Sequence, residues 1–119
     1  MPVRVAIVGA GLMGRWHAYT ARQLNRTITA VIDQNLEAAQ RLAGRFGGKA
    51  FPSLQDALSA SQFDVVHICT PLSTHYGLAK LALEAGKHVL VEKPITLNSN
   101  DVIKLENISK KNKKLFFVD

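Results

Sequence analysis

The feature that most constrains this chain is an alternation. Short runs rich in β-branched residues are each followed by a turn and then by a stretch with helical spacing. Residues 3–9 read Val-Arg-Val-Ala-Ile-Val-Gly, an almost unbroken apolar run of the kind a strand shows when both its faces are covered. Residues 12–25 then read as a helix and 28–33 as a second strand. Over 36–46 the residues Ala39, Leu42, Ala43 and Phe46 share one helical face, and Gly47-Gly48 ends that helix as a left-handed cap would. Residues 49–51 form a short third strand. Ser53-Leu54-Gln55-Asp56 resembles a capping box before a short helix. The fourth strand, 64–69, is closed by Thr70-Pro71. A helix over 74–85 turns Leu78, Leu81, Ala82 and Ala85 to one side, with Gly86 just past its end. Residues 88–91 make a fifth strand. A last helix starts at Asn98 or Ser99 with Val102, Ile103, Leu105 and Ile108 inward, and 115–118 is a sixth strand.

Strands alternating with helices at this spacing imply βαβ units and a parallel sheet. The expected fold is α/β: a Rossmann-type doubly wound parallel sheet of about six strands with helices on both faces. The 119 residues suit one domain, 1–119. At 47% hydrophobic the chain can build a core, and no stretch reaches a membrane span of about 18 apolar residues. The single cysteine, Cys69, excludes an internal disulfide. The opening apolar run is too short and too β-branched for a secretory signal, so a cytoplasmic location is expected.

In a doubly wound sheet ligands bind at the carboxyl ends of the strands. The segments to read are therefore 9–14, 33, 70–75 and 92–94. Gly9-Ala10-Gly11-Leu12-Met13-Gly14 fits G-x-G-x-x-G between a strand and a helix, where a dinucleotide-binding loop belongs. Gly9 permits the tight turn, Gly11 leaves room for a pyrophosphate, and Gly14 lets helix and strand pack closely. Free N–H groups of the first helical turn then face the phosphates, helped by the helix dipole. Asp33 follows 19 residues after Gly14 and ends the second strand, placed to accept from an adenosine ribose hydroxyl. It also repels a 2′-phosphate, and Gln34 and Asn35 offer no adjacent cation, so NAD is favoured over NADP. Without a ligand, Asp33 is a strand-end or helix-capping acid. Lys93 is held extended by Pro94 and sits at the mouth of the site, where an ammonium can polarise a hydroxyl or carbonyl. The plainer alternative is a surface lysine paired with Glu92.

These segments together resemble a known family. The glycine loop runs on into Arg15, Trp16 and His17. Thr70-Pro71 has His75 four residues on, and residues 84–94 read Glu-Ala-Gly-Lys-His-Val-Leu-Val-Glu-Lys-Pro. Over the whole chain this is similar to the glucose-fructose oxidoreductase, inositol dehydrogenase and rhizopine-catabolism oxidoreductases. The resemblance implies a Rossmann domain holding NAD(P) and a second, larger α/β domain, absent from this chain, that supplies most of the substrate pocket and the oligomer interface. It implies hydride transfer between nicotinamide and a secondary alcohol of a sugar, cyclitol or related compound. It also implies that Gly9, Gly11 and Gly14 form the dinucleotide loop, with Leu12 and Met13 donating backbone groups, and that Asp33 is the ribose acid. Thr70, Pro71 and His75 would flank the cofactor, Glu92 would lie on the nicotinamide side, and Lys93 would be the catalytic lysine beside the reacting hydroxyl. Leu72 stands where the family often has Asn.

Other features weigh less. His17, His67 and His88 are scattered without metal-ligand spacing, so structural roles and no metal are expected. Cys69 reads as a small buried hydrophobe, not a nucleophile. The net charge of +6 raises nucleic acid as a partner, but the dense run Lys110, Lys111, Lys113 and Lys114 suits the solvated end of a helix. Expected partners are thus a dinucleotide, a polyol or sugar only with a second domain, and a second copy of the chain in a homo-oligomer, with neither nucleic acid nor membrane. The reading from another class is a stand-alone NAD(H)-binding sensor or docking module without catalysis.

Overall fold

The structure is a computed structural model that describes residues 3–92 and 98–118, with Leu72 by its backbone only. Strand β1 (Arg4–Val8) leads into α1 (Leu12–Gln23), β2 (Thr27–Ile32), α2 (Leu36–Phe46), β3 (Lys49–Phe51) and α3 (Leu54–Ala60). After β4 (Val65–Ile68), a 3-10 turn at Leu72–Thr74 opens α4 (His75–Glu84). The order ends with β5 (His88–Val91), α5 (Ser99–Asn112) and β6 (Phe116–Val118).

The strands form one six-stranded sheet in the order β3-β2-β1-β4-β5-β6, and every neighbouring pair is parallel. The chain moves outward from β1 through β2 and β3, then crosses back so that β4 pairs with the other side of β1. That reversal opens a crevice at the carboxyl ends of β1 and β4.

The unbroken apolar run of β1 has its cause in two separate cores. Val5 and Ile7 pack with Ala18 and Ala21 of α1 and with Ala39, Leu42 and Ala43 of α2. Ala6 and Val8 point the other way, toward Leu54 and Ala57 of α3, Ala82 and Leu83 of α4, and Leu105 of α5. The expected doubly wound α/β sheet with helices on both faces is what forms.

Several local expectations need correction. Helix α1 stops at Gln23, two residues early, because Asn25 turns left-handed (φ 59°) and Arg26 N–H bonds back to Ala21 O. The Gly47-Gly48 pair is not a left-handed cap. Gly47 is at φ 106°, ψ 171°, and a Cβ on Gly48 would lie 2.8 Å from Thr29 C, so the pair lets the chain pass close against β2. The left-handed cap is at Lys113 (φ 55°, ψ 44°), ending α5 beyond Lys110 and Lys111 of its last turn. Helix α4 buries Ala79, Ala82 and Leu83, leaving Leu78 and Leu81 half-buried and Ala85 exposed. It is covered by the sheet and also flanked by α5, which turns its inward arc away from the expected stripe. On α5, Leu105 and Ser109 are buried but Ile103 is 55% exposed. At roughly 100° per residue, Ile103 stands on the side opposite Leu105.

Candidate functional site

Gly9 leaves β1 at φ +104°, and a Cβ there would sit 2.7 Å from Cys69 O. Its N–H donates to Ile32 O at 2.7 Å, which ties the loop to the end of β2. At Gly14 a Cβ would overlap the backbone oxygen of Gly9, so helix α1 can approach the strand only without a side chain. Gly11 differs: its Cβ position has nothing within 4 Å. Among the described residues nothing requires glycine there, and the free volume lies where the backbone would meet a ligand.

Gly11 is also the N-cap of α1, in extended conformation, with no side-chain cap and no acidic residue in the first turn. The N-terminal amides of α1, those of Leu12 and Met13 among them, therefore keep donors free at the positive end of the helix dipole. A diphosphate fits this cradle in charge and in donor geometry.

Asp33 stands beside it. Its Oδ2 accepts from Ala10 N–H and its Oδ1 from Asn35 N–H, both at 2.8 Å. The carboxylate thus braces the glycine loop against the turn into α2, and each oxygen keeps lone-pair capacity for a further donor. Gly9, Gly11, Asp33, Thr70 and Pro71 all line one cleft of about 560 Å³, within the usual size range of small-molecule sites.

The other expected residues take different places. Gly14 is buried at the helix–strand junction, whereas Leu12 is 80% exposed at the helix start. His75 is 1% exposed, and its Nε2–H donates to Thr70 O at 2.9 Å. It supports the Thr70-Pro71 loop from beneath, inside the fold, where the sequence reading had it flanking a cofactor. Thr74 adds to that loop, its hydroxyl donating to Pro71 O at 2.6 Å. Lys93 lies outside the described residues.

Glu92 brings in two residues that sequence reasoning left apart. His17 Nε2 lies 2.5 Å from Glu92 Oε2, and His17 Nδ1 lies 3.0 Å from His67 Nδ1. The sheet register explains the meeting. His67 pairs with Ile7 on one side and Leu90 on the other, so all three point to the α1 face, and Glu92, two residues past Leu90, points there too. His17 lies on the buried stripe of α1 with Gly14, Ala18 and Ala21. One signal was available: His67 is a lone polar residue in the apolar run Val65–Ile68, and a buried imidazole needs a partner. Burial pushes the His67 imidazole down to about 4, with His17 and Arg26 adding to the effect. Burial also pushes the Cys69 thiol up to about 12, with Glu92 adding, so Cys69 is a thiol and not a nucleophile at neutral pH. Among the described residues no three His, Cys, Asp or Glu side chains are placed to hold a metal ion.

Residues 3–119 match the family described as "Oxidoreductase family, NAD-binding Rossmann fold". The chain belongs to this family. It is the family of the glucose-fructose oxidoreductase and inositol dehydrogenase resemblance. Among its relatives is a UDP-N-acetylglucosamine 3-dehydrogenase of Acidithiobacillus ferrooxidans, 40% identical over 99 residues, covering 83% of this chain and 31% of the relative. An inositol 2-dehydrogenase of Leifsonia xyli subsp. xyli is 36% identical over 105 residues, covering 87% of this chain and 31% of the relative. In solved structures the fold is close to the WlbA dehydrogenase of Bordetella pertussis in complex with NADH and UDP-GlcNAcA. The TM-score is 0.90 at 26% identity, covering 100% of this chain and 37% of that one. This chain therefore spans about a third of the length of the curated relatives it matches. It corresponds to their NAD-binding Rossmann domain, and NAD is the cofactor class of the family. Among the described residues no helix is long and apolar enough to cross a membrane.

Proposed function

We propose that residues 1–119 are the cofactor-holding part of a dehydrogenase that takes a hydride from a secondary alcohol of a sugar or cyclitol. The observation that carries this is the uncapped amino end of α1, facing open space at Gly11 and sharing one cleft with the carboxylate of Asp33. Backbone amides at Leu12 and Met13 bind the diphosphate of NAD. Asp33 accepts from the adenosine ribose hydroxyls and repels a 2′-phosphate, which favours NAD over NADP. Thr70 and Pro71 wall the cleft on the β4 side, with His75 holding their loop in place. When bound, NAD supplies the hydride acceptor. Glu92 stands at the reacting end of the cofactor, and the Lys93 ammonium orients the substrate hydroxyl and favours its alkoxide character. The substrate pocket and the base that removes the hydroxyl proton come from a second domain, as the names and lengths of the relatives support. In the cytoplasm such a protein would assemble as a homo-oligomer through that domain.

Calorimetric titration of the 119-residue chain tests the reading. NADH should bind, and at least about tenfold more tightly than NADPH, a difference near 1.4 kcal/mol. Asp33→Ala should narrow that gap. Absence of heat from either redox form in a folded sample sinks the reading, and an unchanged NADH:NADPH ratio in Asp33→Ala removes the assigned role of Asp33.

A further inference from the structure

The line His67–His17–Glu92 serves neither of the two cores and has no part in gripping a diphosphate, yet its two imidazoles are buried. His17 is 7% and His67 6% exposed, and the two rings meet edge to face with centroids 5.2 Å apart. With a neutral His17 beside an ionised Glu92, counting hydrogens leaves one wiring for the line. Burial keeps His67 neutral at neutral pH, so its ring carries one N–H. A carboxylate at Glu92 offers only acceptors, so His17 must donate to it from Nε2. A neutral His17 then presents a bare Nδ1, and the 3.0 Å contact requires His67 to donate from its own Nδ1.

The far end of the line opens elsewhere. His67 and His17 both line a cleft of about 160 Å³ with Trp16, Thr20, Arg26 and Leu90, and among the described residues His67 Nε2 has no hydrogen-bond partner, whereas both ring nitrogens of His17 are engaged. The near end, Glu92, follows β5 on the crevice side, and its N–H donates to Ile68 O just below the Cys69–Thr70 turn. The line therefore lies between α1 and the sheet, from the cleft at Trp16 and Arg26 toward the carboxyl end of β5.

We propose that His67, His17 and Glu92 form a proton relay joining the cofactor crevice to the cleft at Trp16 and Arg26. A proton that enters at His67 Nε2 displaces the Nδ1 proton of His67 onto His17 Nδ1. The Nε2 proton of His17 then passes to Glu92 Oε2. One proton is transferred, both rings end neutral as the opposite tautomer, and only Glu92 changes charge. The same steps reversed carry a proton from the crevice to the cleft. The relay rests on the reading of the crevice as a dehydrogenase site, because alcohol oxidation releases one proton for each hydride and ketone reduction consumes one. His17 and His67 act through Glu92 and are positioning residues.

The experiment is NMR of the 119-residue chain labelled with ¹⁵N-histidine at neutral pH. The unmodified chain alone decides the wiring: His67 should be the Nδ1–H tautomer and His17 the Nε2–H tautomer, with the His17 Nε2 proton far downfield from its short bond to Glu92. A His17 imidazolium, or His17 as the Nδ1–H tautomer beside an ionised Glu92, overturns the relay. His67→Asn then separates relay from scaffold. It keeps an N–H aimed at His17 Nδ1 but cannot hand a proton on, so water exchange of the His17 Nε2 proton should slow by about an order of magnitude. Unchanged or faster exchange in a folded His67→Asn overturns the proposal. Adding NADH keeps the two readings apart. If NADH shifts the glycine-loop amides while His67→Asn leaves exchange unchanged, the relay fails alone. If the tautomers and exchange are as expected while NADH shifts nothing, the proton path through the three side chains is upheld and the dehydrogenase reading, with the role given to the path, fails.

Discussion

Helix α1 and the side-chain-capped helices α2, α3 and α5 treat the same problem in opposite ways. Every helix begins with backbone N–H groups that have no partner within the helix. In α2, α3 and α5 a side chain supplies the missing acceptor: Asn35 accepts from Ala38 N–H, Ser53 from Asp56 N–H, and Asn98 from Asp101 N–H. Each of these helices also carries an acid in its first turn, Glu37, Asp56 and Asp101 respectively. Helix α1 has neither device. Its N-cap is Gly11, its first turn holds no acid, and the space outside is open. Helix α4 also lacks both, but it runs on from the 3-10 turn Leu72–Thr74, so among the described helices the bare amino end that opens on free space beside the crevice is that of α1. The crevice at the β1/β4 switch point is where that difference has a use.

The comparison can be broken most forcefully at Gly14. A Cβ there would overlap the Gly9 carbonyl, which is backbone and cannot swing aside. Gly14→Ala should lower stability by about 3 kcal/mol or more, read as a drop in the denaturation midpoint. A change under about 1 kcal/mol means that the junction is looser than described. Next in size is acid. His67 titrates near 4 in the folded chain and about 6.5 unfolded. The unfolded state therefore binds the extra proton first as pH falls, and stability present above pH 6.5 is lost between about 6.5 and 4. The loss should be on the order of 3 kcal/mol in denaturant melts across that window, and His67→Asn should flatten it. A flat profile in the unmodified chain contradicts the burial assigned to His67.

The two smaller effects set α1 against α2 directly. Gly11→Ala adds a methyl that meets none of the described residues. Folding stability should stay within about 0.5 kcal/mol while NADH affinity falls by about tenfold or more. Asn35→Ala should do the reverse, removing about 1 kcal/mol of stability with the N-cap bond and leaving NADH affinity near its starting value. If both substitutions acted alike, the division between helices that cap themselves and the helix that waits for a ligand would not hold.

How far the sequence revealed all this depends on the range of the physics involved. The β1 run, the Gly9–Gly14 loop and Asp33 were legible because their signals are local: unbroken apolarity, Cβ-free turns, and an acid at a strand end. The buried arcs of α4 and α5 were not. Each helix carries apolar residues on more than one side, and which arc is covered depends on where the neighbouring helix lies, as the exposed Ile103 and the half-buried Leu78 show. The His17–His67–Glu92 line was out of reach for another reason. Its members are brought together by the pairing of His67 with Ile7 and Leu90, a register that no short window of sequence contains. His75 lies between these cases. Its place after Thr70-Pro71 marked the right loop, but only the fold shows that its ring is turned inward to Thr70 O.

Titrating the ¹⁵N-labelled chain with NADH and following its backbone amides tests the central claim most directly. The largest shifts should fall at Gly11, Leu12 and Met13, with Asp101, the capped amide at the start of α5, unmoved. Saturable NADH binding that leaves the amides of residues 11–13 in place would contradict it.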